Sequence, residues 1–215
     1  MVEILEQGAI SFLAVVSPGT GDPDAWDVAR FFVVLAPAGR RPLRRLSVRR
    51  RRLPEPERAQ RFYAHVDRLA IRAARLTDDV RAGRRPGRIR VLAVGRYTLA
   101  RHGDHVHLAY ALARACGRGG LARALGVRAA ASFLLCVFRR SLPPPRRPAG
   151  PLPLAAATPE RLDVLGAEIA LVAGGRDGDG RLGIPRAPAD RVGETLASAL
   201  LRRGPRPRIA SMTRA

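Results

Sequence analysis

The stretch PEPERAQRFYAHVDRLAIRAARL, residues 54–76, decides the fold class. Phe62, Val66, Leu69, Ala73 and Leu76 recur in steps of four, three, four and three, which is one face of an α-helix. Most of the arginines fall on the other face. Pro54 and Pro56 stand where a first helical turn tolerates proline. The spacing predicts one long amphipathic helix, with His65 at the border of its apolar stripe as a solvated or capped side chain.

The segments around it read as strands. Residues 9–16, AISFLAVV, form a short apolar run that ends in the turn residues SPGTGDPD. Residues 28–37, VARFFVVLAP, are β-branched and aromatic, which favours a second strand. In LRRLSVRRRRL, 43–53, Leu46 and Val48 lie two apart, as on a half-buried strand with arginines outside. The run Arg49–Arg52 then reads as a charged strand edge that blocks edge-to-edge pairing, because no aromatic residue interleaves it to stack on bases.

Downstream, IRVLAVGRYTLAR and HVHLAYALA read as strands, GGLARALGV as a helical turn or two, and AASFLLCVFR as a central strand. Cys136 in that last run reads as a small core residue. The prolines of RRSLPPPRRPAGPLPLAAATPER predict an extended linker without regular structure. LDVLGAEIALVAGG, 162–175, resumes as a strand, and ADRVGETLASALLRR, 189–203, reads as a short helix with Val192, Leu196, Ala199 and Leu200 inward.

These elements predict an α+β fold: a mainly antiparallel sheet, the long helix and a shorter C-terminal helix. Residues 1–175 form one domain, with a Pro/Arg-rich loop at 140–160. Residues 176–215 carry the C-terminal helix and a loose basic tail.

Length and composition fit that reading. The chain has 215 residues, 47% of them hydrophobic but only 5% aromatic, so its core is mostly Ala, Leu and Val. Net charge is +21, and the sequence holds neither lysine nor asparagine, so every basic residue is arginine. Both missing residues have AT-rich codons, so the composition reflects coding bias as well as any selection for phosphate. Such a surface still binds polyanions weakly at low salt.

Two cysteines, Cys116 and Cys136, form no CxxC and imply no disulfide framework. No uncharged apolar stretch reaches the ~18 residues of a membrane helix. The N-terminus carries early acids and no basic n-region, so it does not read as a secretory signal. A cytoplasmic protein without membrane insertion is expected.

The densest chemistry is RHGDHVHLAY, 101–110, which holds three of the four histidines. Gly103–Asp104 between two strand-like runs suits a two-residue turn with glycine first. That turn sets His102 opposite His105, Ala100 opposite His107, Leu99 opposite Leu108 and Tyr97 opposite Tyr110. One face collects Tyr97, Leu99, Val106, Leu108, Tyr110 and Leu112, and the other collects the histidines. A one-residue slip would mix the two sets. Facing Cβ atoms lie ~5 Å apart and neighbours along one strand ~7 Å. His102, His105, His107 and Asp104 are therefore the candidate metal ligands. A divalent transition metal such as zinc would generate a nucleophilic water there. The competing reading is a solvated hairpin tip, which lacks the rigid support that precise sites need.

Other motifs fail on inspection. HGDH lacks the upstream histidine of the HxHxDH hydrolase signature, since position 100 is Ala100. Asp177, Asp179 and Gly180 fit the middle of an EF-hand loop, but Gly175 and Arg186 occupy its first and twelfth positions, so a turn is expected. GRGG at 117–120 lacks the rest of a phosphate loop.

GRYTLARHGDHVHLAYAL resembles the core motif of a family of uncharacterised bacterial proteins that carry Arg-His-Gly-Asp-His-x-His-Leu-Ala-Tyr-Ala-Leu. VEILEQGAISFL, DVARFFVVLAP, RRRRLPEPERAQRFYAHVDRLA and LDVLGAEIALVAG are similar to stretches of the same family, so the resemblance covers most of residues 1–174. It implies no particular activity, ligand or partner. The relatives look less arginine-rich, so a function shared with them does not need this chain's charge.

Three functions are therefore in view. The first is a non-enzymatic cytoplasmic ligand-binding or interaction domain. The second is a metal-binding protein or metal-dependent hydrolase built on the histidine face. The third is a non-specific nucleic-acid binder acting through arginine.

Overall fold

The computed structural model describes residues 2–18, 26–55, 60–82, 88–115, 120–138 and 154–173. Its strands are β1 (Val2–Pro18), β2 (Trp26–Pro37), β3 (Leu43–Val48), β4 (Arg61–Ala70), β5 (Arg88–His102), β6 (His105–Ala115), β7 (Ala130–Phe138), β8 (Leu154–Ala156) and β9 (Glu168–Ala173). They pair in the order β6-β5-β1-β2-β3-β4-β9-β7, and β6 pairs with β7. That last pairing closes eight antiparallel strands into a barrel. β8 adds three residue pairs to the end of β7.

The expected α+β fold is thus corrected to a β-barrel. The predicted long helix is strand β4. Its buried residues are Phe62, Ala64 and Val66, a period of two that the sequence carries beside the period of 3.6. β4 lies between β3 and β9, which bond its backbone from both sides. Those pairings come from residues distant in sequence, and they override the local helical pattern. The remaining helical pattern shrinks to a 3-10 turn at Ala73–Leu76 and α1 (Asp78–Ala82). β3 is no edge strand, since β2 and β4 flank it, and its Arg44 and Arg45 are buried.

The proline-rich linker also holds more structure than expected. β8 lies within 140–160 and α3 (Pro159–Leu162) begins there, with Pro159 in the first helical turn, where its missing N–H costs nothing. GGLARALGV gives α2 (Leu121–Ala124), as the sequence suggests. Cys136 is half-buried rather than a core residue. Cys116, the prolines before Leu154, Asp177–Gly180 and the predicted helix at 189–203 lie outside the described residues.

Alternation along each strand fills the interior. β1 contributes Ile10, Phe12, Ala14 and Val16, β2 contributes Phe31, Val33 and Leu35, and β6 contributes Val106, Leu108 and Tyr110. Ring centroids lie 6.3 Å apart for Phe12 and Phe31, 5.0 Å for Phe12 and Tyr110, and 6.1 Å for Tyr110 and Phe133. Eight strands enclose about the volume that such side chains fill. Most of the buried apolar residues face inward. Among the described residues no helix is long and apolar enough to cross a membrane.

Strand curvature requires two close approaches. A Cβ at Gly8 would overlap the Ala36 carbonyl, and one at Gly95 would overlap that of Ala111. Glycine lets neighbouring backbones come together there.

The chain after β4 must return along the barrel to start β5 beside β1. On the way Leu76 and Val80 cover Ala9, Leu13, Val15, Phe32 and Val34, forming a second, outer core. Each barrel end has a cover. Leu53, Leu125 and Val127 close one, where the Leu53 amide donates to the Leu125 carbonyl at 2.8 Å. Pro159 and Leu162 of α3 are buried at the other.

Candidate functional site

The histidine hairpin forms in the register that the sequence predicts. His102 pairs with His105, Ala100 with His107, Leu99 with Leu108 and Tyr97 with Tyr110. Gly103 takes φ 61, as the first position of such a turn requires. Tyr97, Leu99, Val106, Leu108 and Tyr110 are buried inside the barrel, and Leu112 packs against that core. The histidines occupy the outer face. His102 and His105 are exposed and His107 is half-buried.

The imidazoles share a face. Among the described residues no group of three or more His, Cys, Asp or Glu is placed to hold an ion. His105 Nδ1 lies 3.1 Å from Oδ1 of its neighbour Asp104, and that carboxylate is 88% exposed. His107 Nδ1 is buried with no hydrogen-bond partner. Burial, then repulsion from His105 and His102, pushes the His107 pKa below its ordinary value. His107 consequently takes up a proton less readily than a free imidazole.

Two ion-pair networks were not foreseen from the sequence. Inside the α3 end, Arg44 donates to both oxygens of Glu6, at 2.6 and 2.9 Å, and to Asp163 Oδ1 at 2.6 Å. The Tyr97 hydroxyl donates to Glu6 at 2.7 Å. Burial opposes the Arg44 charge, but its bonds to Glu6 and Asp163 outweigh burial and raise its pKa. Burial, then the Glu6 charge, raises the Tyr97 pKa, so the phenol stays protonated and donates. Arg41 joins from the rim through Glu160 and Asp163.

On the outer face Arg45 makes forked bonds to Asp67, at 2.8 and 2.9 Å, and to Asp79, both at 2.8 Å. It also donates to the Leu76 carbonyl and lies 4.4 Å from the centroid of Phe32. One signal for Arg44 was present: it shares the inward parity of Leu46 and Val48, and a guanidinium there demands a carboxylate. The partners themselves carried no signal.

These networks are closed on themselves, so they offer no free acid, base or nucleophile. A groove of about 300 Å³ lies elsewhere on the α3 end, between the end of β7 and residues 164–168. Val137, Phe138, Ala155 and Arg161 also line it. Val164 and Leu165 form its lip and are 54% and 64% exposed. Its polar side chains are already engaged: Arg161 donates to the Ala156 carbonyl at 2.7 Å, and Glu168 accepts from Arg49 at 3.0 Å.

Comparison of the chain with protein-family models, curated proteins and solved structures gives no match.

Proposed function

We propose that this chain is a non-enzymatic cytoplasmic interaction domain that takes apolar side chains of a partner protein into the groove beneath β7. One observation carries the reading. Two adjacent aliphatic residues, Val164 and Leu165, stand exposed on the lip of an apolar groove. Glu168 is paired with Arg49, so the groove selects mainly by shape and apolarity, with the Arg161 guanidinium held at its edge by the Ala156 carbonyl. Its volume is at the small end for ligand pockets, which suits a few side chains of a peptide. The apolar-in arrangement of the barrel supports work in water. The free thiol of Cys136 suits a reducing compartment.

Selection of a displayed random peptide library on the purified protein tests the reading. Enriched peptides carrying paired apolar residues are expected, and Leu165→Asp should bind them roughly tenfold or more weakly, a loss of ~1.4 kcal/mol. No enrichment, or equal binding by Leu165→Asp, would overturn it.

A further inference from the structure

The two barrel ends treat their arginines differently. At the α3 end Arg41 pairs with Glu160 and Asp163, Arg44 with Glu6 and Asp163, and Arg101 with Glu3. At the opposite end the strand register gathers another set. Arg88 pairs with Val16 near the end of β1, and Arg61 opens β4 opposite Val172 near the end of β9. Arg51 donates to the Val28 carbonyl at the start of β2. The Leu53–Leu125 bond ties residues 49–53 to the loop that holds Arg123 and Arg128.

Arg50, Arg61, Arg88 and Arg123 are exposed, and no ion pair to a carboxylate is formed by any of them or by Arg128 among the described residues. Arg51, also exposed, bonds only a carbonyl among the described residues, so five exposed arginines here have no described carboxylate partner. Arg49 and Arg52 are paired, with Glu168 and Glu55. Asp27, paired with Ser17 near the end of β1, is an exposed carboxylate at this end. An eight-stranded barrel is about 15 Å across, so these guanidiniums share one small surface.

The chemistry of that surface narrows its partner. Exposed large apolar side chains are Val2, Ile4, Tyr63, Ile71, Leu154, Val164 and Leu165. None belongs to residues 49–53 or 120–129, so these loops bring no wedge for a lipid interface. They bring no exposed ring for stacking on bases either. What they offer is guanidinium for phosphate oxygens.

We propose that the α2 end of the barrel binds the phosphate backbone of nucleic acid without reading its bases. This is a property of the chain's own arginines. It involves a surface apart from the groove, so either proposal can fail alone.

The test is fluorescence anisotropy of a random duplex of about 20 base pairs across salt concentrations, where five contacts predict a log–log slope of about −4.5. Arg50→Gln, Arg61→Gln, Arg88→Gln and Arg123→Gln combined should flatten that slope by about 3.6. Arg40→Gln, Arg72→Gln, Arg75→Gln and Arg101→Gln combined remove the same formal charge elsewhere and should leave the slope nearly unchanged. Thermal melting checks that both variants fold, and Arg50→Gln with Arg123→Gln alone should still flatten the slope by about 1.8. Equal losses in the two matched variants would assign binding to bulk charge and overturn the proposal. So would a flat wild-type slope, or binding to phosphatidylserine vesicles without binding to the duplex.

Discussion

Arg44 and Arg45 are neighbours in sequence and both are buried, yet they hold different parts of the molecule. Arg44 points into the barrel, where it joins Glu6 of β1 to Asp163 just after α3. Arg45 points outward, where it joins Asp67 of β4 to Asp79 of α1. Their partners differ in access to water. Arg44's partners are Glu6, 5% exposed, and Asp163, 22% exposed, whereas Arg45's are Asp67 and Asp79, 17% and 30% exposed, so of the four Glu6 alone is shut off from solvent. Glu6 therefore has no alternative to its partners, while the other carboxylates can fall back on solvent. Burial of the guanidinium alone does not set the strength of the anchor. The exposure of the groups left behind sets it.

That difference orders the expected effects. Arg44→Met leaves the buried Glu6 with the Tyr97 hydroxyl and a single long ion contact, 3.8 Å, to Arg41, and urea denaturation should show a loss of about 3–5 kcal/mol. Adding Glu6→Gln to that variant should recover part of the loss, because no charge is then left buried. A loss from Arg44→Met below ~1 kcal/mol would place the pair with ordinary surface ion pairs and end the distinction.

Arg45→Met should be milder, at about 2 kcal/mol, since its carboxylates hydrate but the Leu76 carbonyl loses its donor. Hydrogen exchange should show residues 73–82 opening before the strands do. If the whole barrel loses protection together, the outer segment is not a separable layer.

The smallest expected effect lies on the histidine face. His107 binds its proton less readily when folded, so near and below its ordinary pKa of about 6.5 the unfolded chain takes up more protons. Stability should then be constant above that pH and fall as pH drops toward the lowered folded pKa. Melting temperature followed from pH 8 to 5 should lose this dependence in His107→Gln. Persistence of the same slope in that variant would assign it to other groups.

How much of this could be read from sequence depended on how local each signal was. The β5–β6 hairpin was legible to the register because Gly103–Asp104 and the two apolar sets lie within a few residues of one another. His102, His105 and His107 lie on one face, as the register requires, but strand register alone does not gather three ligands round one ion. β4 was misread because Phe62, Val66 and Leu69 fit a helix as well as Phe62, Ala64 and Val66 fit a strand. The choice lay with β3 and β9. The groove was not legible, since β7, β8 and the residues after α3 meet there only once the barrel has closed.

Short-range pattern by itself determined the Gly103–Asp104 turn, the inward and outward faces of β5 and β6, and a core mostly of Ala, Leu and Val. Tertiary structure alone decided that β4 is a strand and that the sheet closes. It also decided that two arginines are buried. Arg44 meets Glu6 and Asp163 across separations of 38 and 119 residues, and Arg45 meets Asp67 and Asp79 across 22 and 34. The physical reason is that periodicity reports which side of a segment avoids water. Backbone pairing and charge neutralisation depend on groups that only the folded chain brings within bonding distance.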